Sequence, residues 1–423
     1  MAVHDLFTPR RITLGLLFLL FALGAALRLR HADDVTSPSP DENVYTLYAR
    51  RVSEKGPAEF PVLVREYIED TTRHTDPPPW RVGYLWPLAE IMKITGDTDI
   101  QTGAWLSFAL SLTTLALAGV IGARYLPPQA ALCAMLCLAV STPDLAIARR
   151  TWVDPLMSAL GLVIVWAAWE ITRNPQWRGN YGVLVLAGGF SCLVKESGVF
   201  VFGACSLYVL VSLGRRREWR AAAGFTLSGL AVAFLCLCVL TLAAGGLPTL
   251  RTAWHMQNLG FLSNTYDHEY QSGPWYRLIR GFWILGPVNL LLSGLAVSLS
   301  VLPDRWQARL LLPFGRPERS MLRLFSWLAV ALVCMVLALP AKQNFRSLSP
   351  MYAPMCLLSG LGLWALLDLA SRKLLRPMFW AFVAMVAAVL VSGAIADYRN
   401  FERVYVVEEV PDLPIRWVLQ WGR

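Results

Sequence analysis

Charge is what this chain has least of: 16% of its 423 residues are Asp, Glu, Lys or Arg, while 56% are hydrophobic. A mean hydropathy of +0.47 goes with that scarcity and excludes an ordinary soluble domain, whose apolar share is roughly 45–50%. Cysteine is sparse in loops, because all 8 fall within apolar runs. That placement excludes a disulfide framework and a spaced zinc site, and leaves them as small packing residues. Low-complexity tracts, a clear internal repeat and a long polar segment are also missing. Without related halves, one signature of many secondary transporters is absent.

What the chain has is apolar runs. About eleven approach the roughly 20 residues a helix needs to cross a ~30 Å hydrocarbon core. They lie near 12–28, 103–122, 129–146, 154–171, 181–195, 197–213, 221–244, 281–302, 322–340, 350–369 and 378–396. The expected fold is an all-α polytopic membrane protein with about eleven transmembrane helices. The first run has a basic flank and small residues at its end, as a secretory signal does, but it continues into Arg28 and Arg30 and reads as an anchor helix.

Lys and Arg set the orientation. With the N-terminus cytoplasmic, the inner connections include "GRRRE", "PDRWQARLLLPFGRPERSMLR" and "SRKLLRP", more than twofold denser in basic residues than the outer ones. The net charge of +9 therefore reads as a topology signal, and nucleic-acid binding is not expected. About 23 of the 29 acidic residues then face outward, so the outer face carries the chemistry. Its large segments are loops 29–102 and 246–280 and a short tail, 397–423, following a transmembrane domain 1–396. Within the first loop, 80–96 is expected to lie as an amphipathic helix in the membrane interface, with Trp80, Tyr84 and Trp86 at that depth.

Five short stretches stand out. In "SPSPDENVYTLYARRV" (37–52), Ser39 and Glu42 form a capping box with Pro40 at the first helical position. Asp41, one position earlier than Glu42, heads a stripe of Tyr45, Tyr48 and Val52 that should pack inward. A carboxylate there suits proton transfer, although both acids also suit a helix N-terminus. In "AIARRTWVDP", Arg149, Arg150 and Asp154 read either as an interfacial ion pair with an Asp154 N-cap or as an anion clamp. In "CLVKESGVF", Lys195 and Glu196 interrupt a long apolar run, as a turn with snorkelling charges or as a cation aimed at an anion. In "LPAKQNFRSLSPMYAP", Lys342 and Arg346 put positive charge outside, against the topology bias, which a lipid phosphate would explain. In "NTYDHEYQSGPWYRL", Asp267, His268 and Glu269 are metal-capable but contiguous, a weak ligand pattern; the interleaved aromatics also suit a sugar.

These stretches, in this order over residues 10–370, resemble the C-type membrane glycosyltransferases, in particular the branch of protein O-mannosyltransferases and the aminoarabinose transferase of lipid A. The resemblance rests on "PDENVYTLYARRV" after a first helix, Arg149 to Asp154, "LVKESG", "GPWYRL" and "KQNFRSLSP". It implies inverting transfer of a sugar from a polyprenyl-phosphate-linked donor to a protein, lipid or glycan acceptor on the periplasmic face of a bacterial inner membrane. Asp41 takes the role of base, with Glu42 beside it. Arg149, Arg150, Lys195, Lys342 and Arg346 become phosphate ligands, with Asp154 orienting Arg149. Tyr45, His268, Glu269, Trp275 and Tyr276 become sugar or acceptor contacts. No cofactor is required by this scheme, a divalent metal being weakly supported, and membrane lipids are the remaining partners. Ser347 stands where such proteins often have Tyr. The competing reading is a transporter or flippase of a lipid-linked saccharide.

Overall fold

The computed structural model describes residues 10–302, 316–338 and 343–421. Among the described residues the fold is helical, with one isolated antiparallel bridge, Asn344 to Pro414. The membrane bundle begins with α1 (Arg10–Leu29). A first group of shorter helices follows: α2 (Pro40–Lys55), α3 (Phe60–Glu69) and α4 (Val82–Thr95). The bundle resumes with α5 (Ile100–Tyr125), α6 (Pro128–Ala139), α7 (Thr142–Ala148), α8 (Asp154–Arg173), α9 (Arg178–Val194), α10 (Ser197–Arg215) and α11 (Trp219–Ala243). A second group of shorter helices, α12 (Leu247–Ser263) and α13 (Thr265–Tyr270), leads to α14 (Tyr276–Leu285) and α15 (Pro287–Val301). The chain closes with α16 (Arg316–Ala338), a 3-10 segment Phe345–Met351, α17 (Tyr352–Lys373), α18 (Arg376–Phe401) and α19 (Ile415–Trp421).

Eight of these helices are long and apolar enough to cross a membrane, nine if the bent pair α6 and α7 counts as one span. The eleven expected runs therefore map onto eight full-length helices, that pair, and two shorter stretches. The run 181–195 is the 17-residue α9, and the run 281–302 is split between α14 and the 15-residue α15. Gly286 and Pro287 cause the split, since Pro lacks the N–H that would continue the ladder. The last span also runs further than expected: α18 and the π-helical turn Glu402–Val407 carry it past 396.

The bend between α6 and α7 is 52°. Breaking a helix inside the bundle strands its last carbonyls, which need donors where water is excluded. Arg28, at the end of α1, supplies them: its guanidinium donates to the carbonyls of Leu138 and Ala139, both at 3.1 Å. It also pairs with Asp144 of α7, whose Oδ2 accepts from Ser111 of α5 at 2.9 Å. One buried arginine thus ties α1 to α5, α6 and α7, as an integral part of the bundle.

Burial separates a centre from a rim. The most apolar windows of α17 and α8 are 83% and 72% buried, whereas those of α11 and α18 are 6% buried. Close packing at the centre uses glycine: a Cβ on Gly360 would lie 2.1 Å from the Ala130 carbonyl, and one on Gly362 the same distance from that of Leu292. Small residues here let α17 touch α6 and α15 at once.

Candidate active site

The two groups of shorter helices, the Arg149–Asp154 turn, the α9–α10 hairpin, the 3-10 segment and the tail meet at one end of the bundle around a cavity of about 640 Å³. Asp41, Tyr45, Asp76, Arg81, Asp154, Lys195, Glu196, His268, Arg346 and Asp412 all line it.

Asp41 reaches the cavity by helix phase. Pro40 opens α2, and Glu42 returns to the Ser39 backbone N–H at 2.7 Å, closing the capping box. With that register, Tyr45, Tyr48 and Val52 are all buried, and Asp41 sits at the head of their stripe. Its Oδ2 accepts from Arg346 Nη2 at 2.7 Å. Burial pushes the Asp41 carboxyl up, but the Arg346 guanidinium, with Arg81 and Lys195 beyond it, outweighs that and holds the group below the usual carboxylate range.

Glu42 faces the other way. It is 1% exposed and is absent from the cavity wall. Its Oε1 accepts the Thr151 backbone N–H at 2.9 Å, and its Oε2 lies 3.3 Å from Arg150.

Arg346 is held from three sides. Besides Asp41, it pairs with Asp412 at 3.0 Å and lies 4.4 Å over the Trp152 ring. Asp412 in turn accepts from Asn344 at 3.0 Å and from the Tyr266 hydroxyl at 2.8 Å. It arrives because the tail folds back: Phe345 N–H donates to the Leu413 carbonyl and Ile415 N–H to that of Gln343, both at 3.0 Å.

Two further ion pairs complete the wall. Lys195 Nζ donates to Asp154 Oδ1 at 2.7 Å. Arg81 donates to Glu196 at 2.8 Å and also to the Tyr45 hydroxyl. Gly83 permits this approach, since a Cβ there would lie 2.9 Å from the backbone of Leu193 and Val194. Asp76 stands apart: burial, and then the negative charge of Asp41, raise its carboxyl above the usual value.

The structure separates other expected residues. Arg149 pairs with Asp34 and donates to the Tyr405 carbonyl at 2.5 Å, while Arg150 donates to the Ser37 carbonyl at 3.0 Å. Neither lines the cavity. Asp154 does not orient Arg149; it is the first residue of α8, makes no cap, and is engaged by Lys195. The cause is the tight turn between α7 and α8, closed by Trp152 N–H to the Arg150 carbonyl at 2.8 Å, which sends the arginines and Asp154 to opposite sides. Glu269, Trp275 and Tyr276 are exposed and outside the cavity, and His268 reaches it with its ring nitrogen on the Leu262 carbonyl at 2.8 Å. Lys342 lies outside the described residues. Among the described residues, no three His, Cys, Asp or Glu side chains converge on a metal-sized point. Trp80 and Tyr84 are buried against protein (3% and 0% exposed), and only Trp86 of the three expected at the interface is exposed. α4 packs on α2, α5 and α9.

Sequence reasoning missed Asp76, Arg81, Tyr266, Asn344 and Asp412 as site residues. Asp76 opens the "DPPPW" stretch and Arg81 follows it, a local signal that the chain turns sharply there. Nothing local marks Asp412.

Residues 77–241 match the sequence model of the dolichyl-phosphate-mannose-protein mannosyltransferase family. No curated protein matches the chain by sequence. Among solved structures, ArnT from Cupriavidus metallidurans in the apo state is similar with a TM-score of 0.54 at 16% identity, over 89% of this chain and 63% of that one. ArnT bound to undecaprenyl phosphate gives the same TM-score and identity over 96% and 74%. The archaeal oligosaccharyltransferase AglB from Archaeoglobus fulgidus, in complex with an inhibitory peptide and a dolichol-phosphate, gives 0.50 at 12% identity over 92% and 56%. The chain thus spans less than two thirds of the apo ArnT chain and of AglB. It is a polytopic membrane protein whose fold is similar to those of ArnT and AglB.

Proposed function

We propose that this protein transfers a sugar, with inversion, from a polyprenyl-phosphate-linked donor to a hydroxyl-bearing acceptor. The observation that carries this reading is the pairing of Asp41 with Arg346 in a cavity that also holds Lys195 and Arg81. Asp41 takes the acceptor proton as the acceptor oxygen bonds to the anomeric carbon. The bond from that carbon to the phosphate oxygen breaks, and its electrons leave on the lipid phosphate. Arg346 and Lys195 stabilise the departing charge. Each cation already has a carboxylate partner, so the phosphate binds by sharing or displacing that partner. The neighbours bound to undecaprenyl phosphate and dolichol-phosphate support this donor class.

The orientation that fits puts the N-terminus in the cytoplasm and the cavity on the periplasmic side of a bacterial inner membrane. Because two cationic side chains, Arg346 and Lys195, serve the phosphate, we propose no required metal, and transfer is expected to persist in EDTA. The test is incubation of purified protein with radiolabelled polyprenyl-phosphate sugars and candidate protein, lipid and glycan acceptors. Label should reach one acceptor class with an inverted anomeric linkage. Donor translocation in proteoliposomes without transfer would overturn the reading in favour of a flippase.

A further inference from the structure

Arg346 carries two carboxylates on adjacent nitrogens, and they are held unequally. Asp412 meets Nε at 3.0 Å, and Asp41 meets Nη2 at 2.7 Å. Asp412 is fixed from several directions. Its Oδ1 accepts the Leu413 backbone N–H at 2.8 Å, its Oδ2 accepts the Tyr266 hydroxyl at 2.8 Å, and the Asn344 amide donates to both oxygens, at 3.0 and 3.1 Å. Asn344 closes a ring, because its own Oδ1 accepts the Arg346 backbone N–H at 3.0 Å. The backbone around Asp412 is restricted as well: prolines stand at 411 and 414, and the bridge from Pro414 to Asn344 joins the tail to the 3-10 segment.

Asp41 comes from another element, and its side chain is 31% exposed where that of Asp412 is 11% exposed. The guanidinium has one face on the Trp152 ring, whose Nε1 donates to Ser39 Oγ at 3.1 Å. With that face covered and Nε engaged by a rigid acid, the Nη2 end is where an incoming anion can change places with a protein carboxylate.

We infer that Asp412 is a positioning residue: it keeps Arg346 aimed through Nε, so that the donor phosphate takes Nη2 from Asp41 and frees Asp41 to act as base once the donor is bound. This rests on the transferase reading of the cavity and adds an order to it, donor before proton transfer. The phosphate replaces one charge-assisted hydrogen bond by another at Nη2, while the bond at Nε persists. Asp41 then loses a donor and gains a negative neighbour, and both changes strengthen its hold on the acceptor proton.

The experiment titrates the purified full chain in detergent with farnesyl methyl phosphate, a prenyl phosphodiester without a sugar, by isothermal calorimetry. Asp41→Asn removes the group that competes for Nη2 and should tighten binding about tenfold. Asp412→Asn removes the anchor, leaves Arg346 to Asp41, and should weaken binding about tenfold. Tyr266→Phe keeps every charge, removes one hydrogen bond to Asp412, and should weaken binding about threefold. Opposite signs for two carboxylates on one arginine are the signature. A purely electrostatic role would tighten both, and a purely structural role for Asp412 would lower the number of sites and the melting temperature but leave the dissociation constant unchanged. Shifts of the same sign, an unchanged constant in both Asp412→Asn and Tyr266→Phe, or no binding by wild type would overturn the inference. The probe cannot be a sugar donor, so the two readings fail separately. Opposite shifts in a protein that transfers no sugar would support the exchange and reject the transferase reading, whereas normal transfer beside shifts of the same sign would reject the exchange alone.

Discussion

Two ionic layers meet at the Arg149–Asp154 turn, and they differ in what covers them. Behind the turn, Arg149 pairs with Asp34, and Arg150 with Glu42, away from the cavity; the two arginines are 3% and 6% exposed. In front of it, Asp41 pairs with Arg346, Asp154 with Lys195 and Glu196 with Arg81, all on the wall of one cavity. The residue types are the same. What separates the two layers is access: only the front one, the reacting layer under the function proposed above, lines the cavity, and the rear one is a holding layer.

The contrast can be broken at several points. The largest expected effect is on the holding layer. Glu42→Ala leaves Arg150 buried without its carboxylate and frees the Thr151 N–H, at a cost of about 3–5 kcal/mol. Thermal unfolding in a fixed detergent should show the loss, while transfer per folded molecule stays near wild type. In the reacting layer, Arg346→Gln should slow transfer about 10²–10³-fold, because it removes the cation nearest the proposed base and phosphate. Steady-state rates at saturating donor would check this, and a rate close to wild type would place the leaving-group charge elsewhere.

The smallest effect separates two acids of the same cavity by pH. Asp41 is held below its ordinary 3.8, so its ionisation stabilises the fold above that pH, and the contribution is lost as pH falls through its lower folded value. Asp76 is raised above 3.8, so its ionised form penalises the fold near neutrality and the penalty disappears on acidification. Asp76→Asn should therefore raise the melting temperature at pH 7 and leave it unchanged at the acid end. An unchanged melting temperature at both ends would remove this assignment for Asp76.

How far the sequence carried depended on whether a signal was local. The phase of α2 is periodic, so the division between a capping Glu42 and an inward Asp41 could be read from four residues and is present in the fold. The direction of Arg149 and Arg150 could not, because a non-periodic turn between two helices sets it. The break at Gly286–Pro287 was not legible either, because it interrupts an apolar run whose composition alone looks continuous. Asp412 is 66 positions beyond Arg346 and reaches it through two backbone hydrogen bonds of the tail, which no composition signals. Arg81 lies in the stretch 80–96, and its place in the site was not legible because its partners, Tyr45 and Glu196, come from two other segments.

The central claim is that adjacent carboxylates divide the work, Glu42 holding and Asp41 reacting. The most direct measurement is the transfer rate of Asp41→Asn beside that of Glu42→Gln, each normalised to folded protein, with one donor and one acceptor. The account predicts a loss of about 10²–10⁴-fold for Asp41→Asn, with donor still bound, and a near wild-type rate for Glu42→Gln. Full activity in a folded Asp41→Asn protein, or the larger loss in Glu42→Gln, would contradict it.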